Sequence, residues 1–194
     1  GGDKAIFGYG NYAPGNVSIT NLCNNSGVIA TDTTGVGTAR LYLAAAGYGG
    51  DKGIFGYGIS GATQYSLTNK VSNSGVVATD TTGVGTARNQ IAAANYGGDK
   101  ALYGFGTTGG GTLISLTNLV SNQGVVSADV TGVGTARQSL IGVNYGGDKA
   151  VFALGSGQST IRNLVSNTGV VASDTTSGGT GSAGSASAGY SLSA

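Results

Sequence analysis

The residues best suited to chemistry are the aspartates, which supply every side-chain carboxylate because the chain has no glutamate. They recur in two motifs, Gly-Gly-Asp-Lys and a Thr-Asp-Thr-Thr-Gly element, at Asp3, Asp32, Asp51, Asp80, Asp99, Asp129, Asp148 and Asp174. A catalytic residue is normally unique in its fold, whereas a residue copied into every unit is more simply a determinant of that fold. We therefore predict that the aspartates cap turns and form ion pairs between units. Calcium binding by equivalent aspartates stays an alternative, although hard-cation sites take ~6–8 oxygens from several clustered carboxylates.

Other catalytic chemistries lack their residues. The absence of histidine removes the Ser-His-Asp and Cys-His arrangements and the commonest general base. The Gly-Gly-Asp-Lys motif has no Ser or Thr after its lysine, as a phosphate-binding loop would require. Cys23 has no partner to lower its pKa, and valine takes its place in the other units, so it is predicted to be a small apolar core residue. The sequence thus predicts no enzyme, no cofactor and no metal site.

The overall charge gives no sign of a charged partner. Charged residues make up 9% of the chain, and the net charge of +1 provides no electrostatic footprint for nucleic acid. No apolar run approaches the ~20 residues of a membrane-spanning helix. Hydrophobic residues, at 39%, are numerous enough to build a core. We expect neither nucleic-acid binding nor membrane insertion.

The segments that differ between units are the candidates for ligand binding. The largest differences fall at residues 11–17, 59–65, 107–114 and 155–160, and a second variable patch lies at 41–43, 89–91 and 138–141. Recognition residues tend to lie on loops of a rigid scaffold. Asn11, Tyr12, Gln64 and Tyr65 suit sugar recognition, because rings stack on sugar faces and amides bind hydroxyls. The alternative is that these loops vary because nothing constrains them.

A fourfold repeat must position these residues. Gly-Gly-Asp-Lys recurs about every 48 residues and divides one domain, residues 1–194, into repeats 1–48, 49–96, 97–145 and 146–194. Within the first unit, residues 4–10, 17–27, 27–35 and 40–48 read as short strands, because they are β-branched or aromatic and are bounded by turn residues. Four short strands in each unit predict an all-β repeat array.

The order of motifs, "TAR…LAAAGYGGDKAIFGYG…TN…TD", resembles a kelch-type propeller blade, although the blade tryptophan is absent. This resemblance implies a four-bladed β-propeller with four antiparallel strands per blade. Residues 182–190 stand where 40–48 stand in the first unit, so the C-terminal strand is predicted to pair with the N-terminal blade and close the ring. An open β-solenoid, or a fragment of a larger ring, is the alternative.

The near-identical units also resemble repeats of phage-associated and metagenomic virion structural proteins. This resemblance implies a non-enzymatic structural or adhesion module of an extracellular or virion-surface assembly, such as a tail fibre or appendage. Its partners would be other structural proteins or copies of itself. A glycan-binding lectin and a kelch-like protein-interaction adaptor are the alternatives.

Overall fold

The computed structural model describes residues 3–157, 159–176 and 178–190 and is all-β, as predicted. The strands in these residues are β1 (Ala5–Tyr12), β2 (Gly15–Cys23), β3 (Ala44–Tyr48), β4 (Lys52–Gly56), β5 (Ile59–Ser60), β6 (Thr63–Gln64), β7 (Thr68–Val71), β8 (Ala92–Tyr96), β9 (Lys100–Gly104), β10 (Thr117–Val120), β11 (Ile141–Tyr145), β12 (Lys149–Ala153), β13 (Ile161–Val165) and β14 (Thr175–Thr176). The helical content of the same residues is a single 3-10 turn, Gly109–Gly111, which is far too short to cross a bilayer.

Each sheet takes its inner strand from the end of one sequence repeat and its other strands from the next, so a structural unit begins at its inner strand, and the second unit begins at β3. This second unit illustrates the repeated sheet. Its strands lie in the order β3-β4-β7 and are antiparallel, with Tyr48 opposite Lys52 and Gly56 opposite Thr68. The double glycine makes the tight connection between β3 and β4, because Gly49 and Gly50 both have positive φ, +61° and +82°. The third unit repeats this sheet as β8-β9-β10, and the last forms β11-β12-β13-β14.

The fourth, outer strand predicted for each blade is formed as a strand only in the last sheet of the described residues. In the second unit it is reduced to two isolated bridges, Val71 with Val77 and Thr68 with Thr81. Asp80, next to the second bridge, binds Thr38 of the preceding segment. The outer segment therefore serves as much to join units as to widen a sheet.

The inner strands β3, β8 and β11 lie side by side, so that each unit stacks on the one before. The Asn95 amide donates to the Gly47 carbonyl at 2.6 Å across one of these contacts. Small residues are required here, because a Cβ on Gly142 would collide with the Ala93 carbonyl. This close approach explains the alanines and glycines of the inner strands.

Aromatic rings form the core between units. Phe55 packs on Tyr9, and Tyr103 packs on Tyr57, with ring centroids 5.1 Å apart in both pairs. Phe152 packs on Phe105 at 5.5 Å. In each pair the second aromatic belongs to the preceding unit, so the core runs continuously along the repeats.

The predicted closure of the ring is not observed. No ladder joins residues 182–190 to β1 in the part of the chain that the structure describes. These residues instead lie beside the last unit, where the Ser187 hydroxyl donates to the Gly142 carbonyl at 3.0 Å. Within the described residues, the first unit accordingly contains the β1-β2 hairpin without an inner strand.

Candidate functional site

Three of the Gly-Gly-Asp-Lys motifs form ion pairs at the surface. Asp51 accepts a hydrogen bond from Lys52 at 2.6 Å and a second from Asn73 at 3.2 Å. These hydrogen bonds, from Lys52 first, lower the pKa of the Asp51 carboxyl below its ordinary value. The next copy repeats the arrangement at Asp99 and Lys100, with the two charged atoms 3.0 Å apart. The charges of this motif therefore neutralise each other at the turn.

The second set of aspartates joins neighbouring units through buried arginines. We call this cluster the arginine clamp; in its central copy it comprises Thr86, Arg88, Asn118 and Asp129. Arg88 is fully buried and donates to the Asn118 side-chain oxygen at 2.7 Å and to the Thr86 carbonyl at 3.0 Å. Asp129 accepts from the hydroxyl of Thr86 at 2.7 Å and from its backbone N–H. The same four contacts recur around Arg40 and Arg137.

The charged groups of the clamp are largely shielded from solvent. Burial opposes ionisation of Asp129, but hydrogen bonds from Thr86 and Asn118, together with the charge of Arg88, outweigh it and lower the pKa of the carboxyl. The Arg88 guanidinium also lies 4.3 Å from the centre of the Tyr57 ring, a cation–π contact. Burial raises the pKa of Tyr57 to about 12, so its hydroxyl stays protonated. The predicted ion pairs between units are confirmed at two clamps, where Arg40 and Arg88 lie 3.9 Å from Asp80 and Asp129, whereas the Gly-Gly-Asp-Lys pairs form within a single turn.

A groove on the loop side of the repeats is the candidate binding site. The loop groove has a volume of about 790 Å³ and is lined by polar and aromatic side chains that include Tyr42, Gln64, Gln90, Thr107, Gln138 and Ser156. These residues come from all four repeats, with Tyr42 in the first and Ser156 in the last, so the groove exists only in the stacked array. No carboxylate lines it among the residues described. Its amides, hydroxyls and one exposed ring suit a neutral polar ligand better than an ion.

Two residues of the groove lining, Tyr42 and Gln90, belong to a row of residues in the left-handed conformation. Tyr42, Gln90 and Ser139 have φ of 55°, 52° and 54°, a conformation that bulky residues rarely adopt. A hydrogen bond joins each residue to its equivalent in the preceding unit: Gln90 N–H donates to Tyr42 at 2.9 Å, and Ser139 N–H donates to Gln90 at 3.0 Å. Gly184 continues the row with a bond to Ser139 at 3.2 Å. This hydrogen-bonded row fixes the spacing of the side chains along the groove.

The predicted ligand residues do not lie together. Gln64 lines the loop groove, whereas Asn11, Tyr12 and Tyr65 do not. Asn11 binds Asn16 at 3.2 Å in the first hairpin, and Tyr12 is exposed near its tip. The backbone of Tyr65 is bonded to neighbouring loops, and its side chain is half-buried.

Several groove residues were missed as candidates. Tyr42, Gln90 and Gln138 lie in the second variable patch of the sequence. No individual residue of that patch was predicted to bind a ligand. The structure brings them beside the first variable patch, represented by Gln64 and Thr107. Variation between units at both patches was therefore the signal that could have identified these residues.

The metal-ligating side chains of the described residues are scattered. No group of three or more Asp or Cys side chains comes together in the residues for which the structure gives positions. Cys23 is half-buried, and its sulfur lies 3.6 Å from the Asn24 carbonyl. No family model matches the chain, and no curated protein matches it.

Proposed function

We propose that the chain is a non-enzymatic structural or adhesion module of an extracellular or virion-surface assembly, of the tail-fibre or appendage type. The arginine clamp carries this proposal. It uses the repeated Arg, Asn, Asp and Thr side chains to join one unit to the next, as around Arg88. Polar groups that are committed to such joints build a rigid array and are not available for catalysis. The low charge and the high glycine content of the chain agree with an exposed architectural role.

Surface labelling tests this proposal. Antibodies raised against residues 1–194 should label intact source cells, or particles released from them, without permeabilisation. An antibody to an internal protein serves as the control for membrane integrity. Labelling that appears only after permeabilisation would contradict the proposed location. Conversion of any substrate in an activity screen by the purified chain would contradict the non-enzymatic role.

Glycan binding is the second candidate function, and the loop groove favours it. The half-exposed Tyr42 lines the groove together with Gln64, Gln90 and Gln138, whose side chains carry amides. Aromatic faces pack on the apolar sides of sugars, and amides bind their hydroxyls. An array of glycans should then retain the wild-type chain and lose Tyr42→Ala. Tyr12→Ala, which removes an exposed ring outside the groove, is the matched control.

A closed, kelch-like four-bladed ring, with a role as a protein-interaction adaptor, is the remaining proposal from the sequence. The blade-like order of β3-β4-β7 supports it. It requires residues 182–190 to pair with β1 of their own chain. Sedimentation over a range of concentrations distinguishes this pairing from a pairing between two copies of the chain.

A further inference from the structure

The first unit lacks the inner strand that the other three possess. In those units β3, β8 and β11 pair with β4, β9 and β12, but the equivalent edge of β1 has no partner among the described residues. Phe7 of β1 is 53% exposed, whereas its equivalents Phe55 and Tyr103 are 4% and 0% exposed. The β1-β2 hairpin is therefore an incomplete unit with an uncovered aromatic ring.

A cavity lies at the open edge of β1. It has a volume of about 660 Å³ and is lined by Ala5 and Ile6 of β1 and by Ala45, Ala46 and Gly47 of β3. The inner strand of the first unit would stand here, because in later units each inner strand lies both beside its own second strand and against the next inner strand. The β1 and β3 residues named here are small or apolar, which suits a short strand of small residues.

The C-terminal end of the chain has such a strand without a sheet. Residues 186–190 read Ala-Ser-Ala-Gly-Tyr and match Ala44–Tyr48 of β3, Ala-Ala-Ala-Gly-Tyr. The Ser187 hydroxyl bonds to Gly142, which places this segment against the inner strand β11. Among the described residues, this segment is not paired with any strand of a sheet. Tyr190 is 90% exposed, whereas the equivalent Tyr48 is 5% exposed.

Some side chains that are exposed at the C-terminal face are equivalent to side chains that are covered at the joints between units. Within the chain, Tyr48 and Leu119 lie against Gly124 and Gly169 of the following unit. Their equivalents in the last unit, Tyr145 and Leu164, are exposed. By the repeat, the residue that would cover both is Gly27, in the loop that follows β2. The two end faces are thus complementary halves of one internal joint.

We propose that two copies of this chain join head to tail, with residues 186–190 of one copy completing the β1-β2 hairpin of the next. In the register of β3 on β4, Ala186 lies opposite Gly8, Ala188 opposite Ile6 and Tyr190 opposite Lys4. The inference deepens the proposed structural function, on which it rests, by naming the partner. Because the two faces differ, the contact is heterologous and continues into an open filament unless its rotation closes a ring.

The joint between copies is weaker than the joints within the chain. Asn21 and Asp32 occupy the acceptor positions of an arginine clamp, but no described residue donates to the Asn21 side-chain oxygen, and Asp32 binds only the Asn21 amide. Thr180 of the incoming copy stands where Thr38 binds Asp80, whereas Ser182 replaces the arginine. The joint therefore has the threonine half of the clamp without the guanidinium, and assembly is reversible.

Sedimentation of the full chain over a range of concentrations tests the proposal. We expect the mean mass of the wild type to rise with concentration, and a chain ending at Ser185 to stay monomeric. Ala188→Pro, which removes one ladder N–H without shortening the chain, should also stay monomeric. Ser182→Arg should lower the concentration of half-assembly by about tenfold or more, because it adds a charge-assisted hydrogen bond to Asn21. Asn21→Ala should cancel that gain in the double variant.

The other outcomes overturn the inference. A wild type that is monomeric at every concentration, or a shortened chain that assembles equally well, contradicts pairing between copies. If Ser182→Arg raises the melting temperature of a monomer independently of concentration, the strand completes its own chain and the ring is closed. Surface labelling is independent of these results. A monomer that labels the surface refutes only the head-to-tail joint, and a filament that is never exposed refutes only the proposed function.

Discussion

Replacing Arg88 by glutamine should destabilise the protein strongly. The Arg88 side chain is fully buried and donates to the Phe105 carbonyl at 2.9 Å, to the Thr86 carbonyl at 3.0 Å and to Asn118 at 2.7 Å. Glutamine is too short to reach all three acceptors, so at least one is left buried without a donor. The variant also loses the cation–π contact with Tyr57.

The magnitude follows from these contacts. An unsatisfied buried acceptor costs about 1–3 kcal/mol, and breaking a buried charged contact from one side costs roughly 3–5 kcal/mol in total. We therefore expect Arg88→Gln to lower the free energy of unfolding by about 3–5 kcal/mol. For a chain of this size, that corresponds to a fall of about 10 °C in melting temperature.

Arg162→Gln is the matched control, because it removes the same charge from an exposed side chain. Arg162 makes one long hydrogen bond, 3.3 Å, from its Nε to the Thr175 hydroxyl. Its loss should change stability by less than about 0.5 kcal/mol. Urea unfolding followed by far-ultraviolet circular dichroism and tyrosine fluorescence suits a chain with ten tyrosines and no tryptophan. If the two variants differ by less than about 1 kcal/mol, the clamp does not stabilise the array and our reasoning is wrong.

Three further results are expected. Because the folded-state pKa of Asp129 lies below its ordinary value of 3.8, the unfolded state binds more protons in acid, and stability should be lost as pH falls below about 4. Asp129→Asn should reduce that loss, as unfolding free energies between about pH 7 and pH 2.5 would show. If the variant lost as much stability in acid as the wild type, Asp129 would not be the group responsible. Gly56→Ala should cost about 1–3 kcal/mol, because its Cβ would come within 2.6 Å of the Tyr103 ring, whereas Gly109→Ala meets no atom within 4 Å and should be nearly neutral in thermal unfolding. In the glycan assay Tyr42→Ala should abolish any binding that the wild type shows, and retained binding would move the site away from the loop groove.

The repeat and the all-β class could be predicted because several motifs share one register. Alternating apolar and polar residues, bounded by glycine, indicated strands such as β2. Identical aspartates in successive units indicated joints between units, and the contact of Asp80 with Thr38 has this form. In both cases the information lies in local spacing, which the sequence displays directly.

The loop groove and the ends of the array could not be predicted in the same way. Tyr42 and Gln90 adopt positive φ without being glycine, so no residue type revealed the row that positions them. A strand such as 186–190 matches the missing strand of the first hairpin whether it belongs to the same chain or to another copy. Local spacing cannot distinguish these pairings, because both use the same side chains in the same register.

Each clamp arginine binds a residue of the following repeat, and this direction affects how such a chain can change in length during evolution. Arg40 binds Asn69, Arg88 binds Asn118 and Arg137 binds Asn163, so each of the first three periods supplies a donor to its successor. An in-frame duplication or deletion of one period that ends in a clamp arginine therefore leaves each donor facing an acceptor. Array length can vary between lineages without the invention of a new interface.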